Sequence, residues 1–328
     1  MIGRARASEL VQQFAGLRIL VFGDLILDRY VWGNTERISP EAPVPIVRVE
    51  RESIMLGGAG NVARNLASLG AQVEVLGLVG EDETASDLES LFDRWKIDTR
   101  ILLREPDRPT TSKTRVISRG QQVVRYDRES EEPIAVGLVE SLLDALRSGA
   151  SRAVGAIIQN YGKGLLVPEV VREAMAIFEE CGVRVFVDPK EPPWEVYRGA
   201  ELIKPNLREA EEVARVRVRG EGDLERLGRQ LLELCEGATV VVTRGGQGMS
   251  LFGSDLGSCH VPTQLRAVSD VAGAGDTAIA ALALARLSGS SWPEAAELAN
   301  AAAGVVVQVP GTATITPEEL LDAIGASS

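Results

Sequence analysis

Short β-branched runs and segments of helical period take turns along almost the whole chain, and few architectures accept that order. RILVFG (18–23) precedes GNVARNLASLG (60–70), VEVLGLVG (73–80) precedes a helical stretch near 84–94, and AIIQN (156–160) precedes a helix from Pro168. VRVFVDP, ELIKPN with two helical segments between Leu207 and Leu234, TVVVTRG, and three helices after Gly275 continue the series, the last starting at Pro317. Strand–helix alternation of this kind predicts an α/β fold with a mostly parallel sheet covered by helices on both faces. No Pro- or Ser-rich linker divides it, so residues 1–328 are expected to form one domain.

The alternation breaks twice, at 30–50 and at 98–128, where YVWG, VPIVRVE, TRILLR, TSKTRVIS and QQVVRYDRE read as strands without helices between them. These two segments are expected to make a small separate sheet over the large one. In the second, a two-residue turn at Arg119-Gly120 would pair Lys113 with Tyr126 and Arg115 with Val124, putting Lys113 and Arg115 on one face and Arg125 on the other.

Charge narrows the partners. Lys plus Arg total 35 against 47 Asp plus Glu, a net charge of −12, which disfavours nucleic acid and anionic membrane surfaces and asks any anionic substrate to find a local basic pocket. The three cysteines are far apart and the single histidine, His260, has no partner at zinc spacing. With no long apolar core near the N-terminus and no run of membrane-spanning length, a soluble cytoplasmic protein is expected.

The strongest chemical signal is DVAGAGDT (270–277), which leads directly into the apolar helical run AIAALALARL. Gly273, Ala274 and Gly275 have so little side chain that helix N-terminal N–H groups can approach an anion, and Asp276 follows at once as a candidate base. Phosphoryl transfer needs both: charge stabilisation on the group in flight and a base beside the attacking hydroxyl. The same residues would equally make a Gly-rich turn with Asp276 favouring the helix terminus.

Four weaker signals accompany it. Gly57 and Gly58 would bring backbone close to a ligand while Asn61 offers an amide to sugar hydroxyls, or they make a tight turn. Asp24, just beyond the first strand, would accept two sugar hydroxyls at the carboxyl end of a parallel sheet, or serve as a helix cap or lie in a solvated loop. Asn206 and Glu209, at i,i+3, suit a hydrated Mg²⁺ held through waters, or an N-cap with Glu at N3. The loop of VVVTRGGQGM, with Thr243, Gly246 and Gly248, would follow nucleotide phosphates, or turn a hairpin. No Walker loop, no GxGxxG with its distal acid and no GxSxG elbow occurs.

In order, GDLILD, GGAGN, TSKTRV, VDPK, KPNLREAE, VTRGGQG, DVAGAGDT and NAAAG resemble the PfkB, or ribokinase-like, carbohydrate kinases across nearly the whole chain. RISPEAPVPIV, SRGQQVVRYD, NYGKG, YRGAELIKPNL and GTATITP are most similar to the heptose-phosphate kinases of that family. The resemblance implies an ATP-dependent kinase acting on the anomeric hydroxyl of D-glycero-D-manno-heptose 7-phosphate. It makes Asp276 the base, Gly273 to Gly275 the anion hole, Asn206 and Glu209 the Mg²⁺-water site, and Thr243, Gly246, Gly248 and Asn300 the ATP pocket. Asp24, Gly57, Gly58 and Asn61 would hold the sugar, with Lys163 a further substrate-binding candidate; the hairpin pairing separately lets Lys113 and Arg115 close over the sugar's phosphate, or leaves them as ordinary solvated strand charges. The resemblance further implies a homodimer through the β-lid and a monovalent cation, such as K⁺, at Asp270 with carbonyls near Ala272, Val306, Val309 and Gly311. Two departures stand out. With one histidine there is no HxGH of an adenylyltransferase, so kinase chemistry alone is expected, and Asn160 stands where the resembling kinases usually carry Asp.

Overall fold

The computed structural model describes residues 2–190, 193–263, 269–309 and 311–325. Helix α1 (Arg4–Gln12) leads into β1 (Arg18–Gly23), then β2 (Leu25–Ile38) and β3 (Pro45–Gly58), which deliver the chain to α2 (Ala59–Ser68). Next come β4 (Gln72–Leu76), β5 (Leu78–Val79), α3 (Glu83–Arg94), β6 (Leu103–Arg104), β7 (Ser112–Ser118) and β8 (Gln121–Arg128). The chain continues with α4 (Val136–Ala150), β9 (Gly155–Gln159), α5 (Pro168–Glu180), β10 (Arg184–Asp188), β11 (Leu202–Ile203), α6 (Leu207–Ala214) and α7 (Glu221–Leu234). It closes with β12 (Thr239–Thr243), β13 (Met249–Gly253), β14 (Gly257–Val261), α8 (Ala274–Leu287), α9 (Trp292–Val306) and α10 (Pro317–Gly325).

The main sheet runs β14-β13-β12-β11-β10-β9-β1-β4, parallel from β4 to β12, with β13 and β14 antiparallel at one edge. Its strands are apolar on both faces, and the period of two sends alternate residues into separate cores. Ile19, Val21, Ile157, Phe186 and Val241 pack with α1, α2 and α8 to α10. Leu20, Phe22, Ile158, Val185, Val187, Val240 and Val242 pack with α4 to α7. This is the expected α/β architecture. Every residue of α8 from Asp276 to Ala285 is buried, which its small, mostly apolar sequence permits, and the helix lies between α2 and α9.

The second sheet, β3-β2-β7-β8, is the small separate sheet expected as the lid. Two expectations need correction. TRILLR is not part of it: Leu103 and Glu105 donate backbone N–H groups to Gly77 and Val79, so β6 pairs parallel with β5 while Ile101 and Leu103 pack on the main core. The β7–β8 hairpin does turn at Arg119 and Gly120, with φ of 52° and 77° as a two-residue turn requires, but a bulge after Val116 slips the register. Lys113 therefore faces Asp127, Thr114 faces Tyr126, and Arg115 faces Arg125, which places Arg125 on the same face as both lid cations.

Candidate active site

The first parallel strands end beside the N-terminus of α8, and the polar groups gather there. Gly273 takes φ of 78° as the N-cap, and a Cβ on it would stand 2.8 Å from Asn61 Nδ2, so both conformation and space demand glycine. A Cβ at Gly275 would be 3.7 Å from Lys204 Nζ, which puts a buried ammonium beside this helix terminus.

Asp276, buried, is surrounded by donors. Its Oδ2 accepts from Asn61 Nδ2 at 2.7 Å, and its Oδ1 accepts from Tyr161 Oη at 3.1 Å and Gln159 Nε2 at 3.4 Å. The amide orientation of Asn61 follows from its other contact, since Arg64 donates to Asn61 Oδ1 at 2.9 Å and only the NH₂ is left for Asp276. Burial pushes the Asp276 carboxyl up to about 7, against the lowering effect of the Asn61 hydrogen bond. Gln159 also donates to Asp188 Oδ2 at 3.2 Å, and Asp188 pairs with Lys204 at 3.0 Å.

Asp24 is the second buried carboxylate, its Oδ2 accepting from the backbone N–H groups of Tyr161 at 2.7 Å and Lys163 at 3.3 Å. Burial raises it to about 6. Gly57 and Gly58 are explained by packing: a Cβ at Gly57 would fall 2.4 Å from Asp28 Oδ2, and one at Gly58, where φ is 54°, 2.5 Å from the Asp24 carbonyl oxygen.

Several side chains expected on the sugar are engaged within the protein. Asn61 is turned to Asp276. Lys163 pairs with Glu129 at 3.0 Å and Glu131 at 2.8 Å, and Lys113 with Asp127 at 2.9 Å and Glu129 at 2.8 Å. Arg115 pairs with Asp28 and lies over the Tyr30 ring, 5.4 Å from its centroid. These cations, far from their acids in sequence, are not free charges. Asn160 donates to Tyr197 Oη at 3.0 Å and accepts from Gly162 N at 2.8 Å.

Thr243, Gly246, Gly248 and Asn300 do come together, lining one cavity of about 230 Å³ with Ala274 and Gly275 of α8. Asn300 Nδ2 donates to the carbonyl oxygens of Val261 at 3.0 Å and Pro262 at 3.4 Å, and a Cβ on Gly248 would stand 2.2 Å from the Val261 oxygen. The loop is thus both the hairpin between β12 and β13 and a wall of the cavity. Neither buried carboxylate lines this cavity or the larger clefts of about 550 and 510 Å³; what sets this one apart is that Ala274 and Gly275, the residues just before Asp276, form part of its wall.

Asn206 and Glu209 form a full capping box on α6: Asn206 Oδ1 accepts from Glu209 N at 3.0 Å and Glu209 Oε2 accepts from Asn206 N at 2.9 Å. Glu209 is raised by burial and by Asp188. Among the described residues, no group of three His, Cys, Asp or Glu side chains is placed to hold a metal directly. A divalent cation bound mainly by water and substrate phosphates fits that donor set, and a protein cage does not. Asp270 accepts from the backbone N–H groups of Ala272 at 2.9 Å and Gly311 at 3.0 Å, joining the loops before α8 and α10.

Gln159, Tyr161, Asp188, Lys204 and Arg64 were not singled out from the sequence as site residues. Asp188 and Lys204 lay in motifs already in view, VDPK and KPN, and their signal was a charge at the carboxyl end of a buried parallel strand.

This arrangement defines a ribokinase-like α/β protein with a β-sheet lid. Solved structures share the fold: ribokinase of Arabidopsis thaliana complexed with ribose and ATP (TM-score 0.73, 20% identity, 94% of this chain and 98% of that one) and phosphofructokinase-2 of Escherichia coli in complex with potassium (TM-score 0.79, 20% identity, 94% and 99%). The profile of the pfkB family carbohydrate kinases matches residues 17–319, and the chain belongs to that family. It is 43% identical over 98% of its length to the "Bifunctional protein HldE" of Geobacter metallireducens and 41% identical over 98% to that of Geobacter sulfurreducens. The chain spans 66% of the length of each of these two relatives. No helix among the described residues is long and apolar enough to cross a membrane.

Proposed function

We propose that the chain transfers the γ-phosphoryl group of ATP to the anomeric hydroxyl of D-glycero-D-manno-heptose 7-phosphate, yielding the 1,7-bisphosphate used in lipopolysaccharide precursor synthesis. The observation that carries the kinase chemistry is the position of Asp276, in the first turn of α8, whose preceding residues Ala274 and Gly275 line the glycine-walled cavity. The particular sugar rests on the motifs shared with heptose-phosphate kinases and on the HldE relatives.

ATP would occupy the cavity of Thr243, Gly246, Gly248 and Asn300. The sugar would lie between the lid and Asp24, which accepts its hydroxyls. Asp276 takes the proton of the attacking hydroxyl on a carboxylate oxygen. The backbone N–H groups at the α8 terminus, of which Ala274 N also donates to the Val271 oxygen at 3.3 Å, would then stabilise charge on the group in flight, with Lys204 beside them. Mg²⁺, held through water by Asn206 and Glu209, would neutralise phosphate charge when bound.

Residues 1–328 act as one kinase unit, cytoplasmic because ATP is there, whose lid closes over the sugar and keeps water out. Val49, Val123, Val124 and Tyr126 leave apolar surface on the lid, which supports a homodimer through it; a monomeric mass by light scattering removes that part. Asp270 and nearby carbonyls would hold K⁺, which a rate indifferent to K⁺ would exclude. The test of the whole is ADP release over a panel of phosphosugars. The heptose 7-phosphate should be turned over fastest, and a faster unrelated sugar would reassign the substrate.

A further inference from the structure

Tyr161 touches both buried carboxylates. Its backbone N–H donates to Asp24 Oδ2 at 2.7 Å, and its hydroxyl donates to Asp276 Oδ1 at 3.1 Å. We infer that Tyr161 is a positioning residue for the base: together with Gln159 it holds Oδ1 of Asp276 while Asn61 holds Oδ2, whose remaining lone pair is left for the acceptor hydroxyl. The inference rests on Asp276 being the base.

The segment carrying Tyr161 is built to be fixed. Gly162 and Gly164 take φ of 68° and 82°, and a Cβ on Gly164 would lie 1.8 Å from the Glu132 carbonyl oxygen, so conformation calls for glycine at both and space excludes a side chain at Gly164. Asn160 braces the turn from both sides, through Tyr197 Oη and Gly162 N. The Tyr161 hydroxyl is itself held well above the ordinary tyrosine range, first by burial and then by Asp276 and Asp188. It therefore stays protonated and acts only as a donor to the carboxylate.

A donor to the charged form of an acid favours that form. Removing it should make Asp276 harder to ionise and leave Oδ1 held only by the longer contact from Gln159. The other charged groups facing Asp276 remain in place: Arg64 from α2, Asp188 at the end of β10 and Lys204 after β11. Because the backbone contact to Asp24 does not depend on the phenol, binding of the sugar should be spared.

Tyr161→Phe separates these roles. The acid limb of the kcat/KM profile should move upward by about half to one pH unit, and kcat at pH 7 should fall about three- to tenfold. KM for the acceptor should stay within about twofold, and raising the pH should recover part of the lost rate. Asp276→Asn, measured in parallel, tells the two claims apart. If Asp276→Asn keeps near-normal turnover, the base assignment fails and this inference with it. If that variant collapses turnover but Tyr161→Phe leaves the limb unmoved, or changes KM alone, the positioning role is overturned and the base assignment stands.

Discussion

Asp276→Asn carries two opposite consequences, because the site that makes a carboxylate useful also makes it costly. Turnover should fall by about 10²–10⁴, the usual contribution of a general base. Stability should move the other way. Burial raises Asp276 from an ordinary 3.8 to about 7, so the folded protein prefers the neutral acid. For a group raised on folding, the favourable contribution is complete below the unfolded value and is lost as pH climbs through the folded one. At ~1.4 kcal/mol per pH unit, the full loss is roughly 4 kcal/mol, and about 2–3 kcal/mol of it falls between pH 5 and pH 8. An amide is always neutral and escapes this loss. The Tyr161 hydroxyl can turn to accept from the new NH₂ while Asn61 still donates to the oxygen, and the NH₂ then facing the Gln159 amide nitrogen is a cost that does not depend on pH. Urea unfolding of both proteins at pH 5 and pH 8 reads the difference, in which any pH-independent cost of the amide cancels. The variant's stability relative to wild type should rise by about 2–3 kcal/mol from the lower pH to the higher. A relative stability that is flat or falls with pH would refute the argument that burial governs this carboxyl.

The other expectations are more local. Glu209→Gln keeps an acceptor for the Asn206 N–H, so the capping box and the melting temperature should survive while the Mg²⁺ concentration at half-maximal rate rises; a lowered melting point with unchanged Mg²⁺ dependence would assign Glu209 to the helix alone. Arg115→Ala should cut kcat/KM for a phosphorylated sugar by about ten- to a hundredfold, and far less for its unphosphorylated form, if Arg115 exchanges Asp28 for the substrate phosphate. Equal losses on both would show that its work is to neutralise the buried Asp28, whose orphaned carboxylate would cost on the order of 3–5 kcal/mol. Asn160→Asp should fold normally, since a carboxylate can accept from both Tyr197 Oη and Gly162 N, and should lift the acid limb of kcat/KM by adding negative charge near Asp24 and Asp276. A limb that stays put would place residue 160 too far away electrostatically to matter.

The layers were legible because alternation in β1, β9, β10 and β12 serves two cores at once, and a strand apolar on both faces has few other places to go. DVAGAGDT was legible for a similar reason: it opens a helix buried from Asp276 to Ala285, and its Gly273 has both a conformational and a steric cause. What escaped was set by distant partners. The register of β7 and β8 turned on one extra residue at the bulge, which a correct turn assignment does not reveal. Lys113, Arg115 and Lys163 look like free cations in sequence and are paired with acids on β2, on β8 and in the segment just after β8. Tyr161 and Gln159 carry no charge and belong to no phosphate-binding motif; their importance comes from standing where β9 ends, between two carboxylates contributed by other parts of the chain. Asn206 and Glu209 remain a case where one spacing satisfies two chemistries, since a capping box and a water-held cation ask for the same pair.

The central claim, phosphoryl transfer to an anomeric oxygen with Asp276 as base, is tested most directly by the product of a single reaction. The chain is incubated with ATP, Mg²⁺ and D-glycero-D-manno-heptose 7-phosphate, and the product is examined by ³¹P–¹H correlated NMR, with Asp276→Asn as control. The wild-type chain should give a second phosphate correlated to the anomeric proton, formed in step with ADP and nearly absent in the variant. A new phosphate on any other carbon, or an equal yield from Asp276→Asn, would contradict it.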